Sequence, residues 1–543
     1  MYSRYIGVVL LGAALVEAGC GKPEPAAAPK PAPKPSASPV ATPPPPEILA
    51  RIHWAGAKQI GADANGAVLK GVWAMPESAK LENQTLDKLS LAAWSLLRQT
   101  VDTNAGALLR PLLADVLRQE SRLEIRQATN QPAQLAFAIR LDDARAALWE
   151  TNLAAVLESL TGVRPVAATG GQRRWTLKRN NPPNLLELAR VGAWTVFGAA
   201  QDRNPLLDDA RDWLERQPAS SEGRTTNSWL EADLDIPRLA SAFAPGWNLP
   251  ADFPRISLTA AGQDTNVWTY GDLKFSRPLP LELEPWNVPT NFIDASLGSF
   301  MCVRGFKPWL ASLKAWNHLQ IGPPPNQLYV WAFNYQMVHT YFAAPLPDAS
   351  NAVRQLTDFV LERNDRFFGT NDVAGFRRSE RTNGLEWKGI PYLYPYLQSI
   401  ETSNGGFVFG GMFPAPEPEP LPASMLPKAL SRTNLLYHDW ELTGTRIEQW
   451  VYTGQFIRYA CHIPQMAGDS VSMAWIRALE PAMRSSVTDV TRTAPDQLSF
   501  ERRSTIGFTA IELNLLADWL DSPRFPVGLH SSLAPPPPPL VSP

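Results

Sequence analysis

One stretch of this chain occurs twice, and the repetition restricts the folds open to it more than any other feature. Ala136–Leu148 reads AFAIRLDDARAAL and Tyr341–Val353 reads YFAAPLPDASNAV. The pairs Phe137/Phe342, Ala138/Ala343, Leu141/Leu346, Asp143/Asp348, Ala144/Ala349 and Ala147/Ala352 are identical. Each copy reads as the end of an apolar strand, an Asp-containing turn and the start of a helix. Three further anchors keep the same order. RPLLADVLR (Arg110–Arg118) matches KPWLASLKA (Lys307–Ala315), Trp175 matches Trp387, and Val196-Phe197-Gly198 matches Val408-Phe409-Gly410. The offsets run 197, 205, 212 and 212, so the anchors are collinear with loop-sized insertions between them. A repeat of about 200 residues exceeds the unit of any solenoid and predicts two homologous halves. The expected class is α+β, each half mainly antiparallel sheet with packed helices.

The ends are not part of that body. Residues 1–20, MYSRYIGVVLLGAALVEAGC, carry one basic residue, Arg4, and an apolar run over Ile6–Val16. Such a run is too short to span about 30 Å of hydrocarbon and reads as a cleaved signal peptide. Its ending, Ala18-Gly19-Cys20, resembles the lipobox of bacterial lipoproteins, with Glu17 standing where an apolar residue is usual. The resemblance implies that Cys20 is diacylated and becomes the new N-terminus. Gly21 after it, by the same resemblance, points to the outer membrane, on the periplasmic side of the envelope. Residues 21–46 form a Pro/Ala/Lys tether ending in PVATPPPP. That composition runs as polyproline II, at about 3.1 Å per residue, and is a spacer about 80 Å long. A second proline-rich tail covers 531–543.

Between them, 47–285 reads as the first half, opening with helices, and 286–530 as the second. Helical spacing predicts helices over Ile48–Ile60, Ser78–Leu97 and Ala107–Leu117. Alternation predicts a hairpin of Leu123–Ala128 and Gln134–Leu141, then a helix capped at Asp142-Asp143. Strands are expected at Arg174–Lys178, Leu186–Arg190, Trp194–Ala200 and Ser228–Asp233. A last hairpin, Ile256–Ala261 with Asn266–Phe275, turns at Gly262-Gln263-Asp264. In the second half Trp309 and Trp316, seven apart, are expected on one helix as a core stripe.

Chemistry is harder to find. The formal charge is −2 with 50 basic and 52 acidic residues, which gives no footprint for nucleic acid or a polybasic membrane face. Nineteen Trp residues are a large excess, read as core and edge filling. There is no GxSxG, HExxH or Walker loop, and GGFVFGG lacks the Lys and Ser/Thr of a phosphate loop. Cys302 and Cys461 follow no metal-ligand spacing and are candidates for a disulfide or two buried thiols. No metal or other cofactor is expected. Adjacent Cys461-His462 does not make a nucleophile and base, and His438-Asp439 on a strand would point to opposite faces. Asp143 and Asp348 are a repeated carboxylate pair that could bind metal, but at a helix start they read as caps.

The layout, with phrases such as WLEADLDIPRLA (Trp229–Ala240), PLPLELEPWNVPTN (Pro278–Asn291) and LQIGPPPNQLY (Leu319–Tyr329), resembles large uncharacterised exported lipoproteins of bacteria. That resemblance implies a location and no activity. The expected function is a non-enzymatic binding or scaffold protein anchored to the membrane by lipid at Cys20. The alternatives are an exported hydrolase without a recognisable motif and a carrier of an apolar ligand. The cleft between the halves is the expected ligand site.

Overall fold

The computed structural model describes residues 47–526 apart from 98, 129–130, 169–171, 181–182, 202, 217–227, 244–251, 291–292, 294–296, 320–321, 335–339, 369–374, 380–383, 389–393, 403–404, 413–429, 461–469 and 524. Cys20, both proline-rich ends, Cys461 and His462 lie outside the described residues.

The first described segment corrects an expectation. Glu47–Trp54 is a strand, β1, and a helix, α1 (Ala57–Ala62), follows only after Gly56. Ile48 and Ile52 are four apart, a spacing that suits a helix face and a strand face equally. Pairing on both edges decides it: β1 lies between β2 (Ser121–Gln127) and β8 (Ser228–Leu234). The helices α2 (Ala67–Trp73), α3 (Pro76–Leu96) and α4 (Thr103–Arg118) therefore interrupt the first half after its first strand and do not precede it. Pro76 occupies the first turn of α3, where its missing N–H costs nothing. Asp102 caps α4 by accepting from the amides of Asn104 and Ala105.

The repeated stretch behaves as its pattern predicts. β2 and β3 (Gln134–Arg140) form the hairpin, and the Asp142 carboxylate accepts from Arg145 N at 2.8 Å to start α5 (Asp143–Thr161). Strands β4 (Val166–Ala167), β5 (Arg173–Asn180), β6 (Pro183–Val191) and β7 (Trp194–Ala200) follow, then α6 (Pro205–Glu215). After β8 come α7 (Ile236–Phe243), β9 (Arg255–Gln263) and β10 (Asn266–Lys274). The β9–β10 turn falls on Asp264 and Thr265, both at positive φ (48° and 66°), two residues later than Gly262 suggests. Gly262 sits within β9 for another reason: a Cβ there would lie 2.1 Å from the Trp229 ring.

The second half comprises β11 (Leu297–Arg304), α8 (Lys307–Ser312), α9 (Lys314–Leu319), β12 (Gln327–Phe333), β13 (Thr340–Pro345) and α10 (Ala349–Phe368). It continues with β14 (Gly375–Arg378), β15 (Gly384–Lys388), β16 (Tyr396–Thr402), β17 (Gly405–Gly411) and β18 (Leu435–Leu442). Last come α11 (Thr443–Ala460), α12 (Val471–Leu479), β19 (Ser485–Ala494), β20 (Gln497–Ser504) and α13 (Ala510–Asp521). The expected Trp309/Trp316 stripe fails because the helix breaks at Leu313. Trp309 is 54% exposed, and Trp316 donates its indole N–H to Gly322 O at 3.1 Å.

The strands join into one antiparallel sheet, with helices packed against it, so the class is α+β. From one edge the first ten strands run β4-β5-β6-β7-β3-β2-β1-β8-β9-β10. From the other edge the second ten run β14-β15-β16-β17-β13-β12-β11-β18-β19-β20. β10 and β20 pair from Val267↔Ser504 to Lys274↔Gln497, which closes the seam between the two runs. A second junction lies behind the seam. Val72 and Leu81 from before the seam share an apolar cluster with Trp475, Ile476, Leu479 and Leu513, and Trp475 donates to Ser78 Oγ at 3.0 Å.

Candidate functional site

Side chains directly opposite on antiparallel strands point to the same face, so a single row can be followed across the sheet. In the first half it runs Ala138 (β3), Arg122, His53, Glu231, Thr259 and Tyr270 (β10). It crosses the seam to Glu501 and continues through Asp489, His438, Cys302, Tyr329 and Ala343 (β13). The neighbouring row in the first half is Glu124, Arg51, Asp233, Ser257 and Asp272, meeting Ser499 across the seam. These two rows form the floor of a cleft of about 650 Å³ on the first half. The helix α6 walls it on one side, with Leu207 and Leu214 packed on Ala138 and Val196. Trp213 of α6 faces the floor, and the Arg122 guanidinium lies over its ring at 4.5 Å from the centroid. A smaller depression of about 260 Å³ continues the cleft over the seam, between Tyr270, Glu501 and Asp489.

The charges in the cleft are largely ordered in pairs. Arg51 meets Glu124 at 3.1 Å, Arg126 reaches both Glu124 and Asp209, and Arg255 grips Asp233 in a fork at 2.7 and 2.6 Å. His53 sits 3.2 Å from Glu120 at the buried end. Towards the seam the balance turns acidic: Glu231 is bonded by Ser228 and Asp272 by Ser499, and the two join Glu501 on the same face. Burial first and Glu501 second push the Tyr270 hydroxyl above its ordinary range.

On the second half the same face is not open. Phe300, Tyr329, Trp331, Tyr341 and Phe409 form a buried aromatic cluster, and Trp286, Val288 and Ile293 of the segment between β10 and β11 pack against it. That segment is held through both its carbonyls and its amides, the latter including Leu279 N to Pro495 O at 2.9 Å. Asn326 donates to Glu282 O (2.7 Å), Arg304 to Glu284 O (2.5 Å) and Gln327 to Pro285 O (2.6 Å). Asn287 N donates to Gln327 Oε1 at 2.8 Å, and Arg304 lies over the Trp286 ring at 4.5 Å.

Cys302, His438 and Asp489 stand side by side in the long row, an order that invites comparison with a nucleophile, a base and its orienting acid. His438 Nδ1 does lie 2.6 Å from Asp489 Oδ1. The Cys302 thiol, however, is 0% exposed in the aromatic cluster, and desolvation pushes its pKa well up, so it is an inert core thiol. His438 and Asp439 point to opposite faces, as the strand pattern requires. Asp439 lies in a second ionisable cluster, on the helix side. Burial first and neighbouring Glu441 second raise it to about 7. Glu441 caps α13 by accepting from Ala510 N at 2.7 Å.

Asp143 and Asp348 do not form a site. Asp348 caps α10 through Asn351 N at 3.2 Å, whereas in the first half the cap is Asp142. Asp143 is exposed and meets Arg190 at 3.1 Å. No group of three or more His, Cys, Asp or Glu side chains among the described residues is arranged to hold a metal ion. The cleft residues went unrecognised in the sequence because they belong to six separate strands and one helix. RIH (Arg51–His53) and RLEIR (Arg122–Arg126) carry an alternating charge signal, but only the register shows that they adjoin.

Comparison with family models, with curated proteins and with solved structures finds no match to this chain.

Proposed function

We propose that the protein is a non-enzymatic binding protein of the bacterial cell envelope whose ligand occupies the cleft on its first half. The observation that carries this is the contrast between two equivalent stretches of one sheet face. The face of the second half is aromatic and covered by the chain itself, while that of the first is charged, concave and open. Paired charges on a rigid sheet orient a polar ligand without a large reorganisation cost. In this reading Cys20 bears lipid and residues 21–46 hold the body away from the outer membrane.

We also propose that the two halves arose by duplication. The identical strand orders support this, as do Ala138 and Ala343 at matching places in one row. Gly56 and Gly305 add to it, following β1 and β11 at φ 86° and 87°. One anchor needs adjustment. Phe409 pairs with Ala343, whereas Val196 pairs with Ala138, so the Val-Phe-Gly match is one residue out of register with the strands.

The cleft reading is tested by placing a photo-reactive phenylalanine analogue at Tyr270 in the cleft and, separately, at the exposed Trp309. After irradiation of growing cells, the mass of the full-length protein is measured. A binding cleft yields an adduct at 270 that is absent at 309. No adduct at 270 would overturn the cleft as a binding site.

A further inference from the structure

Resting on that reading, we propose that the ligand is an extended polypeptide segment, supplied in trans, that contains proline and bears Lys or Arg side chains.

The model for the binding mode lies in the same molecule. Residues 278–290 contain Pro278, Pro280, Pro285 and Pro289, and Trp286 and Val288 among them already pack against the aromatic face of the second half. Three side-chain donors reach the segment's carbonyls at Glu282, Glu284 and Pro285, and three of its amides, Leu279, Glu282 and Asn287, donate to Pro495 O, Gly305 O and Gln327 Oε1. Its prolines, Pro278, Pro280, Pro285 and Pro289, fall between the positions whose amides donate, so a proline-containing segment loses no bond of this mode. Strand addition is not available on this face, because β2, β1, β8, β9 and β10 are each paired on both sides. A peptide must therefore lie across the strands and be read by their side chains, as it does on the second half.

The first half offers the same kinds of group. The guanidinium of Arg122 is stacked on Trp213 as that of Arg304 is on Trp286, with the same 4.5 Å separation. Trp213 and the 41% exposed Tyr270 supply flat apolar surfaces of the kind that proline rings dock against. Charge then selects the side chains. Glu231, Asp272 and Glu501 face the seam end of the cleft; hydroxyls bond the first two, and no cationic side chain bonds any of the three among the described residues. A basic residue in the bound segment would complete those pairs, and an acidic one would be repelled.

The probe is fluorescein-labelled (Pro-Lys-Pro-Ala)4, titrated by fluorescence anisotropy against the full-length protein in detergent. The comparison peptides are (Pro-Glu-Pro-Ala)4 and (Gly-Lys-Ser-Ala)4. The basic proline peptide is expected to bind saturably and to weaken with salt, the acidic one to fail and the proline-free one to bind less tightly. The triple variant Glu231→Gln, Asp272→Asn, Glu501→Gln is expected to weaken binding about tenfold, each exposed pair being worth a factor of roughly two to five. The variant Glu82→Gln, remote from the cleft, is expected to bind as wild type. Equal binding of the acidic peptide, or undiminished binding by a triple variant with wild-type melting temperature, overturns the proposal. An adduct at position 270 that maps to residues 21–46 makes the chain's own tether the occupant and overturns the partner in trans. An adduct of non-peptide mass sinks the peptide reading while leaving the cleft as a binding site, so the two failures are distinguishable.

Discussion

Arg304 is where the covered face of the second half can be opened by one substitution. Its side chain is 2% exposed and donates to four backbone carbonyls: Leu435 O (2.8 Å), Glu284 O (2.5 Å), Thr433 O (2.7 Å) and Arg432 O (3.2 Å). Charge-assisted bonds of this kind are worth about 1.5–3 kcal/mol each, and stacking on Trp286 adds about 0.5–2 kcal/mol. Those gains are partly offset by the desolvation of the guanidinium, which pulls its pKa down from the usual arginine value. Arg304→Leu removes that penalty too but strands the carbonyls, so the net loss is about 3–5 kcal/mol. The chain is too large for a single unfolding free energy to be well defined, so a local readout is needed. The amide of Asn287, bonded to Gln327 Oε1, serves as one. If the covering segment detaches, hydrogen exchange at Asn287 accelerates by about a hundredfold or more for a 3 kcal/mol loss. Arg304→Lys keeps the charge without the fork and is expected to fall between. Exchange at Asn287 within threefold of wild type in Arg304→Leu, with an unchanged urea midpoint, would refute the argument that side-chain-to-carbonyl contacts seat the segment.

Other outcomes follow from the same geometry. Gly56→Ala should destabilise more than Gly305→Ala, though both residues have positive φ. An added Cβ at 56 meets Gln119 C at 2.5 Å and Arg118 O at 2.7 Å, whereas at 305 it meets only movable leucine side chains at 3.0 and 3.2 Å. Thermal melts of the two variants should differ by several degrees, and equal melts would mean that the backbone at 118–119 yields freely. Asp439 titrates near 7 when folded and near 3.9 when unfolded, so the folded state binds the extra proton between those values. Stability therefore falls as pH rises from about 4 to 7, by at most about 1.4 kcal/mol per unit for this one group. Asp439→Asn should flatten that fall in urea midpoints measured across the window, and an unchanged slope would remove Asp439 as its source. Cys20→Ser should release the protein from membranes into the soluble envelope fraction; continued sedimentation with membranes would end the lipid-anchor reading.

Much of the secondary structure was legible because it follows from local chemistry. Alternation marks β2 and β3, Asp142 marks the start of α5, and Pro76 marks the start of α3. Failures came where one local pattern serves two structures. Ile48 and Ile52 fit helix and strand alike until β2 and β8 pair on either side. KPWLASLKA matches the helical RPLLADVLR, yet its backbone turns extended at Leu313, which ends the helix and leaves Trp309 exposed. The order of the strands, and hence the continuous sheet, depends on pairing between residues more than 200 apart, such as Tyr270 with Glu501, which no local window contains.

The cleft was illegible for a related reason. Alternation shows that a strand has two faces but not which of them the chain will cover. At the same places in the strand order, the first half has Arg122, His53 and Glu231 where the second has Tyr329, Cys302 and His438. Tyr329 and Cys302 are fully buried, as apolar groups on a wide sheet face must be, and the covering segment removes them from water. Arg122 and Glu231 gain nothing from such a cover and would lose hydration under it, so the same face of the first half stays open. Substituting aromatic residues for those charges would thus be expected to close the cleft by drawing chain over it. Substituting charges for Tyr329 and Trp331 would be expected to expel residues 282–288 from the other half. The difference between a covered and an open face on this sheet comes down to a few residues in one row.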